Sequence, residues 1–199
     1  MERPDPDATR GGTRAPLRTA RLLLRGWHAA DRPLFARMNA DPRVMEHFPA
    51  PLTAPQSDAF MDRIAARLAV DGWGLWAVER VEDGAFLGFA GLAAIPFEAH
   101  FTPAVEVGWR LRPEAWGHGY ATEAGRAALA VAFDRLALAE VVSITSVGNV
   151  RSRRVMERLG MARDPVDDFD NPRLPDGHPL RPHVLYRLPA TRWRAAPTD

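Results

Sequence analysis

Two glycines flank a histidine in Trp116-Gly117-His118-Gly119-Tyr120-Ala121, where a strand-like pattern gives way to a helix-like one. Gly117 and Gly119 lack the Cβ atoms that would hold a ligand off the backbone, and they reach dihedrals that other residues avoid. The helix behind them starts with amide hydrogens that have no intrahelical partner and with the positive end of its dipole. A phosphate is the guest that such a turn suits. A tight turn that needs small residues is the competing reading. A second cluster, Asn149-Val150-Arg151-Ser152, sets an amide and a hydroxyl at the start of another helix. Asn149 suits an N-cap, Gly160 a C-terminal stop, and Val155, Met156 and Leu159 an apolar stripe.

Spacing tests two nucleotide-binding readings of the glycine turn. A dinucleotide fingerprint needs a third small residue at Thr122 and an acidic residue about 20 positions on, at the end of the next strand. Thr122 does not fit, and Glu140 falls before that strand. A P-loop needs Gly-Lys-Ser or Gly-Lys-Thr, and no lysine stands there.

The elements that must position these residues follow from periodicity. Val105, Val107, Trp109 and Leu111 alternate along a strand over Val105 to Leu111, and Pro113 stops it. From Thr122, Ala124, Ala127, Ala128, Val131 and Ala132 recur at the spacing of a buried helical face. Upstream, Arg21 to Arg25 encloses a short strand, and Asp31 caps a helix through Met38. Asp41-Pro42 starts another turn of helix. Thr53 and Gln56 form a capping box for a helix to about Asp71, with Phe60, Ile64 and Leu68 on one face. Trp73 to Val81 and Phe86 to Ile95 make a hairpin on Glu82-Asp83-Gly84-Ala85. Downstream come a strand at Val141 to Ser146, loops from Arg163 to Pro182, and a last strand at His183 to Leu188. The expected architecture is an α/β sandwich with a mixed sheet covered on both faces. Residues 1–16 read as a mobile tail, 17–190 as one domain and 191–199 as a C-terminal tail.

Composition excludes several classes. The chain has 199 residues, with 26 basic and 25 acidic side chains and a net charge of +1, so nothing demands a nucleic-acid or membrane partner. It has no cysteine, which excludes disulfides, thiolate zinc sites and an acyl-cysteine intermediate. No apolar run approaches the roughly 20 residues of a membrane span, and the N-terminus lacks a signal-like apolar core, so a cytoplasmic location is expected. The six histidines show no pair at metal-ligand spacing, and no metal is expected. Asp164, Asp167, Asp168 and Asp170 form a run too irregular for a calcium loop. Bordering an acceptor entrance, that run would favour a cationic amine.

The turn resembles the pyrophosphate loop of the Gcn5-related N-acetyltransferase (GNAT) family. Its pattern is Gln or Arg, two residues, Gly, one residue, then Gly or Ala; Gly119 and Ala121 fill the last places, and Trp116 replaces the first. With that departure, Arg112-Pro113-Glu114-Ala115-Trp116 through Ala124 resembles the branch that includes ribosomal-protein N-terminal acetyltransferases. Asn149 through Met161 resembles the family's second signature, about 30 residues on and in the right order.

The resemblance covers about residues 17–190. It implies a GNAT-like three-layer sandwich whose mixed sheet splays beside the Val105 strand to admit acetyl-CoA, the cosubstrate. Backbone groups of Trp109, Arg110 and Leu111 would pair with the pantetheine arm. Gly117, His118, Gly119, Tyr120, Ala121 and Thr122 would hold the pyrophosphate, and Asn149 would add a polar contact. Many relatives use a Tyr at the place of Met156 to protonate the leaving thiolate; here Ser152 takes that role, against a plain helical serine. Glu106 is the candidate base, against a structural carboxylate. A backbone amide beside Val107 or Gly108 would serve the oxyanion. Arg151, Arg153 and Arg154 are candidates for CoA phosphates, and Phe48, Trp73 and Trp76 for lining an acceptor pocket. The expected activity is acetyl transfer from acetyl-CoA to a primary amine, on a protein N-terminus or a small molecule, by direct attack in a monomer or homodimer. A non-catalytic acyl-CoA-binding or regulatory protein is the alternative.

Overall fold

The computed structural model describes residues 16–195. The tail expected over 1–16 lies outside them but for Pro16, and so do residues 196–199. The strands are β1 (Leu17–Arg18), β2 (Leu22–Arg25), β3 (Leu75–Arg80), β4 (Phe86–Ala94), β5 (Val105–Leu111), β6 (Glu140–Ser146), β7 (Ala162–Arg163), β8 (Phe169–Asp170) and β9 (Pro182–Pro189). The helices are α1 (Arg32–Ala40), α2 (Pro42–Met45), α3 (Ala54–Asp71), α4 (Tyr120–Ala130), α5 (Val150–Arg158) and α6 (Ala190–Ala195).

The strands form one mixed sheet in the order β1-β2-β3-β4-β5-β6-β9-β7, with β8 also on β9. β4 and β5 are antiparallel along their length, from Gly88 opposite Leu111 to Ala94 opposite Val105. β6 and β9 are equally continuous, from Glu140 opposite Pro189 to Ser146 opposite His183. Between these halves β5 and β6 run parallel and meet only at Glu106 and Val142, so the sheet opens beyond that point. This is the expected splayed α/β sandwich.

Each face of the sheet is covered. α1 and α3 bury Phe35, Met38, Met61 and Ile64 against Ala77, Phe86 and Phe89. α4 and α5 bury Ala124, Ala128, Leu129, Met156 and Leu159 against Leu24, Val78, Leu92, Val107 and Leu111. The alanines of α4 let it lie close to the strands, and fully buried Leu129 anchors it; Leu-to-Ala truncation at such a site costs about 2–5 kcal/mol. Among the described residues no helix is long and apolar enough to cross a membrane.

Several local expectations change. α4 starts at Tyr120 rather than Thr122, because Gly119, at φ 80°, is its N-cap. Asp31 precedes α1 without capping it by its side chain. Instead its carboxylate accepts from the Arg25 guanidinium at 2.8 and 2.9 Å and from the His28 N–H at 2.8 Å. The Thr53–Gln56 capping box is present. The 163–182 region includes β8, and Arg163 ends β7, both paired to β9. Residues 191–195, expected as tail, continue α6, whose Trp193 stacks on Phe133 with centroids 5.6 Å apart.

Candidate active site

The gap between β5 and β6 is built by backbone alternation. Arg112 N–H bonds to Leu87 O, and Ile95 N–H to Ala104 O, so the even-numbered residues of this stretch exchange hydrogen bonds with β4. The odd-numbered residues therefore turn their backbone groups toward β6. Val107 is the last of these held there: it follows the Glu106–Val142 bridge, and its carbonyl accepts from Ser143 Oγ at 2.8 Å. Further out no β6 residue pairs with Trp109 or Leu111, and only the Leu111 carbonyl is claimed, by Trp116 Nε1 at 2.9 Å. Arg110 and Gly108 differ from expectation, since their backbone groups face Phe89 and Gly91 on β4. An extended ligand in the gap meets the backbone of Trp109 and Leu111.

At the outer end of the gap lies the glycine turn. Gly117 and Gly119 have φ of 81° and 80°. A Cβ on Gly117 would meet nothing within 4 Å, and one on Gly119 only Arg21 Nη2 at 3.6 Å, so the space above the turn is open. The first intrahelical bond of α4 runs from Glu123 N–H to Gly119 O, which leaves the amides of Tyr120, Ala121 and Thr122 without helical partners. Thr122 Oγ1 is buried with no hydrogen-bond partner. Open backbone, orphan amides and an orphan hydroxyl fit a pyrophosphate. The His118 ring stacks on Tyr120, with centroids 5.4 Å apart.

The turn is braced by a residue that the sequence reading missed. Arg21 donates to the His118 carbonyl at 3.0 Å and to Glu123 at 2.7 Å, and its guanidinium lies 4.8 Å from the Tyr120 ring centroid. Against the desolvation of burial, hydrogen bonds from Thr19 and Arg21 hold the Glu123 carboxyl below the ordinary range. No local signal links residue 21 to residue 118.

α5 brings the second motif to the gap. Asn149 caps it by accepting from Ser152 N–H at 3.2 Å, while its Nδ2 donates to Thr145 Oγ1 at 2.9 Å. Among the described residues Ser152 Oγ has no hydrogen-bond partner and is half-buried. Met156 is fully buried. Arg151 lies over the Trp116 ring at 4.6 Å and ties the two motifs together, whereas Arg153 turns to Tyr186 and the Val147 carbonyl. Near the open end of β6, His47 Nδ1 lies 3.2 Å from Ser146 Oγ, a second contact invisible to spacing.

On the α1–α3 face, β5 presents Glu106, Gly108 and Arg110. Desolvation pushes the Glu106 carboxyl up to about 7, and Arg173 opposes the shift. Beyond its chain neighbours, a Cβ on Gly108 would meet nothing within 4 Å, so this glycine leaves space open on this face. Phe48 lies over the Arg110 guanidinium at 4.0 Å, whereas Trp73 and Trp76 pack in the core on the opposite face. Three of the four acidic-run carboxylates are paired, Asp167 with Arg187 at 2.7 Å, Asp168 with Arg163 and Asp170 with Arg181 at 3.3 Å, while Asp164 accepts from the Val166 N–H. The run offers little attraction to a cationic amine. Among the described residues no His, Cys, Asp and Glu cluster could hold a metal.

The gap between β5 and β6 runs from the Glu106 carboxyl toward a glycine turn whose open backbone suits a phosphate, a geometry that fits an acyl-CoA donor. The family model for the "Acetyltransferase (GNAT) domain" matches residues 21–162. The FsC-acetyl coenzyme A-N(2)-transacetylase of Aspergillus fumigatus is 34% identical over 164 residues, covering 78% of this chain and 67% of its own. The uncharacterized protein YkkB of Bacillus subtilis is 30% identical over 144 residues, 72% of this chain and 83% of its own. An acetyltransferase structure from Agrobacterium tumefaciens superposes with a TM-score of 0.71 at 31% identity, over 87% of this chain and 93% of that one. The chain belongs to the GNAT acetyltransferase family and is an acetyl-CoA-dependent N-acetyltransferase.

Proposed function

We propose that the chain acetylates a primary amine, on a small molecule or a protein N-terminus, by direct attack of the amine on acetyl-CoA, within a domain spanning residues 17–190. Its motif spelling supports a place near the ribosomal-protein N-terminal acetyltransferases. The observation that carries the mechanism is the place of the half-buried Glu106 carboxyl at the fork of β5 and β6, where desolvation pushes it up to about 7. An amine of pKa about 10.4 is protonated at neutral pH and cannot attack. A carboxylate of raised basicity takes that proton, directly or through one water. Ser152 Oγ donates to the sulfur as the thiolate leaves, and its lack of another partner supports the role. The Trp109 N–H, beyond the Glu106–Val142 bridge that engages Val107, is the nearest β5 donor left for the acetyl carbonyl.

The donor would be held along the gap by Trp109 and Leu111, and at its pyrophosphate by Gly117, His118, Gly119, Tyr120, Ala121 and Thr122. Asn149 holds the start of α5 beside it. The test is thiol release from acetyl-CoA by the purified protein across a broad amine panel, with mass spectrometry of the products. Amine-dependent release with an acetylated product supports the proposal. Acetyl-CoA binding without release for any amine would make this a non-catalytic acyl-CoA-binding member of the family.

A further inference from the structure

Two arginines stand on the sheet's α1–α3 face, Arg25 buried and Arg110 half-buried, and they are treated differently. Arg25 is held by two carboxylates, Asp31 at 2.8 Å and Glu79 at 2.6 Å, a closed structural network. Among the described residues Arg110 has no acidic partner. Its Nη1 donates to Asn39 Oδ1 at 2.6 Å, and its Nε is buried with no hydrogen-bond partner. Asn39 is fully buried, and its amide donates to buried Ser57 at 2.8 Å, so a neutral oxygen is fixed toward the guanidinium. Phe48, Phe89 and Phe60 surround it, with centroids 4.0, 5.4 and 5.8 Å away. Desolvation pulls Arg110 down to about 10, so it remains charged at neutral pH.

A half-buried cation whose Nε is sealed among neutral and aromatic groups is costly to the fold. The aromatic faces offset part of the cost, but a guanidinium carries five donors and here few are used. Arg110 also shares its strand face with Glu106, two residues beyond the open space over Gly108. At about 3.3 Å per residue, the Glu106 and Arg110 Cα atoms lie about 13 Å apart, a span suited to a small bifunctional molecule.

We infer that Arg110 is the specificity residue for the acceptor: it binds a carboxylate carried by the amine whose nitrogen lies near Glu106. The inference rests on the acetyltransferase reading above and names its substrate class, an amine that is also a carboxylic acid. Asn39 is a positioning residue that aims the guanidinium, and Phe48 covers it. The carboxylate completes the pair that the fold leaves open, as Asp31 and Glu79 complete it for Arg25.

The test compares wild-type kcat/KM for amino acids of graded spacing between amine and carboxylate, each against its neutral carboxamide, with a polyamine included. In parallel, binding of the N-acetyl amino acids to the protein–CoA complex is followed by calorimetry, which needs no turnover. The expected result is a preference of at least about tenfold for the carboxylate at the best spacing, mainly in KM, with the polyamine poorest. Arg110→Met should erase the preference, and Arg110→Lys should restore part of it. Equal use of carboxamides, or a preference that survives Arg110→Met, overturns the inference while leaving acetyl transfer standing. Absence of turnover and of product binding overturns both. If succinyl-CoA with a carboxylate-free amine outpaces acetyl-CoA and depends on Arg110, the carboxylate belongs to the acyl group, and the acceptor assignment fails.

Discussion

Replacing Glu106 by Gln should move stability and activity in opposite directions. The folded carboxyl is pushed from the ordinary 4.5 up to about 7, and at about 1.4 kcal/mol per unit the shift corresponds to about 3 kcal/mol. The sign follows from protons bound. Below about pH 4.5 the group is neutral in the folded and unfolded chains and contributes nothing unfavourable. Between the two values the unfolded chain ionises first, so stability falls as pH rises, and above about 7 the full penalty is present. Glutamine keeps the shape without the charge. Urea unfolding should therefore show Glu106→Gln more stable than wild type by about 1 kcal/mol at pH 5 and about 3 kcal/mol at pH 8, less whatever relief water gives the carboxylate. In the same variant kcat/KM at pH 8 should fall by about 100-fold or more, and the acid limb of the wild-type profile near pH 7 should disappear. A stability difference that does not grow with pH would refute the desolvation argument. An unchanged acid limb would show that another group takes the proton.

Thr122→Val replaces a buried hydroxyl that has no protein partner. Thermal stability should stay level or rise by up to about 1 kcal/mol while acetyl-CoA affinity by calorimetry drops about tenfold; equal affinity would remove the hydroxyl from the phosphate site. Ser152→Ala should lower kcat by about tenfold or more with little change in the KM for acetyl-CoA, and its melting temperature should match wild type because Oγ supports no other contact. An unaltered kcat takes Ser152 out of the reaction.

What was legible in the sequence was local. Alternation from Val105 to Leu111 gave β5 with its bounds, because the odd residues bury against α4 and Pro113 ends the ladder. Gly117, Gly119 and Asn149 marked their turns and cap because those conformations need such residues. Hidden features depend on partners far along the chain. Asp31 looked like a cap until Arg25 and Glu79 were beside it, and Arg21 reached His118 only through the sheet. The acidic run reads locally as solvated carboxylates, because Arg163, Arg181 and Arg187, which pair with three of them, come from outside the run. Alternation places Arg110 on the Glu106 face, but nothing local reveals that α1 brings it a neutral asparagine instead of a carboxylate.

CoA recognition by the glycine turn is the claim on which the rest stands, and calorimetric titration of acetyl-CoA into wild type, Gly119→Val and Ser152→Ala tests it. At φ 80° a valine is strained by about 1–2 kcal/mol and projects into the open space above the turn, whereas Ser152 has its proposed role at the thiol end of the donor. The account predicts micromolar binding, about −8 kcal/mol, to wild type and Ser152→Ala, and binding at least tenfold weaker to Gly119→Val. No heat with wild type, or an unchanged Kd for Gly119→Val, would contradict it.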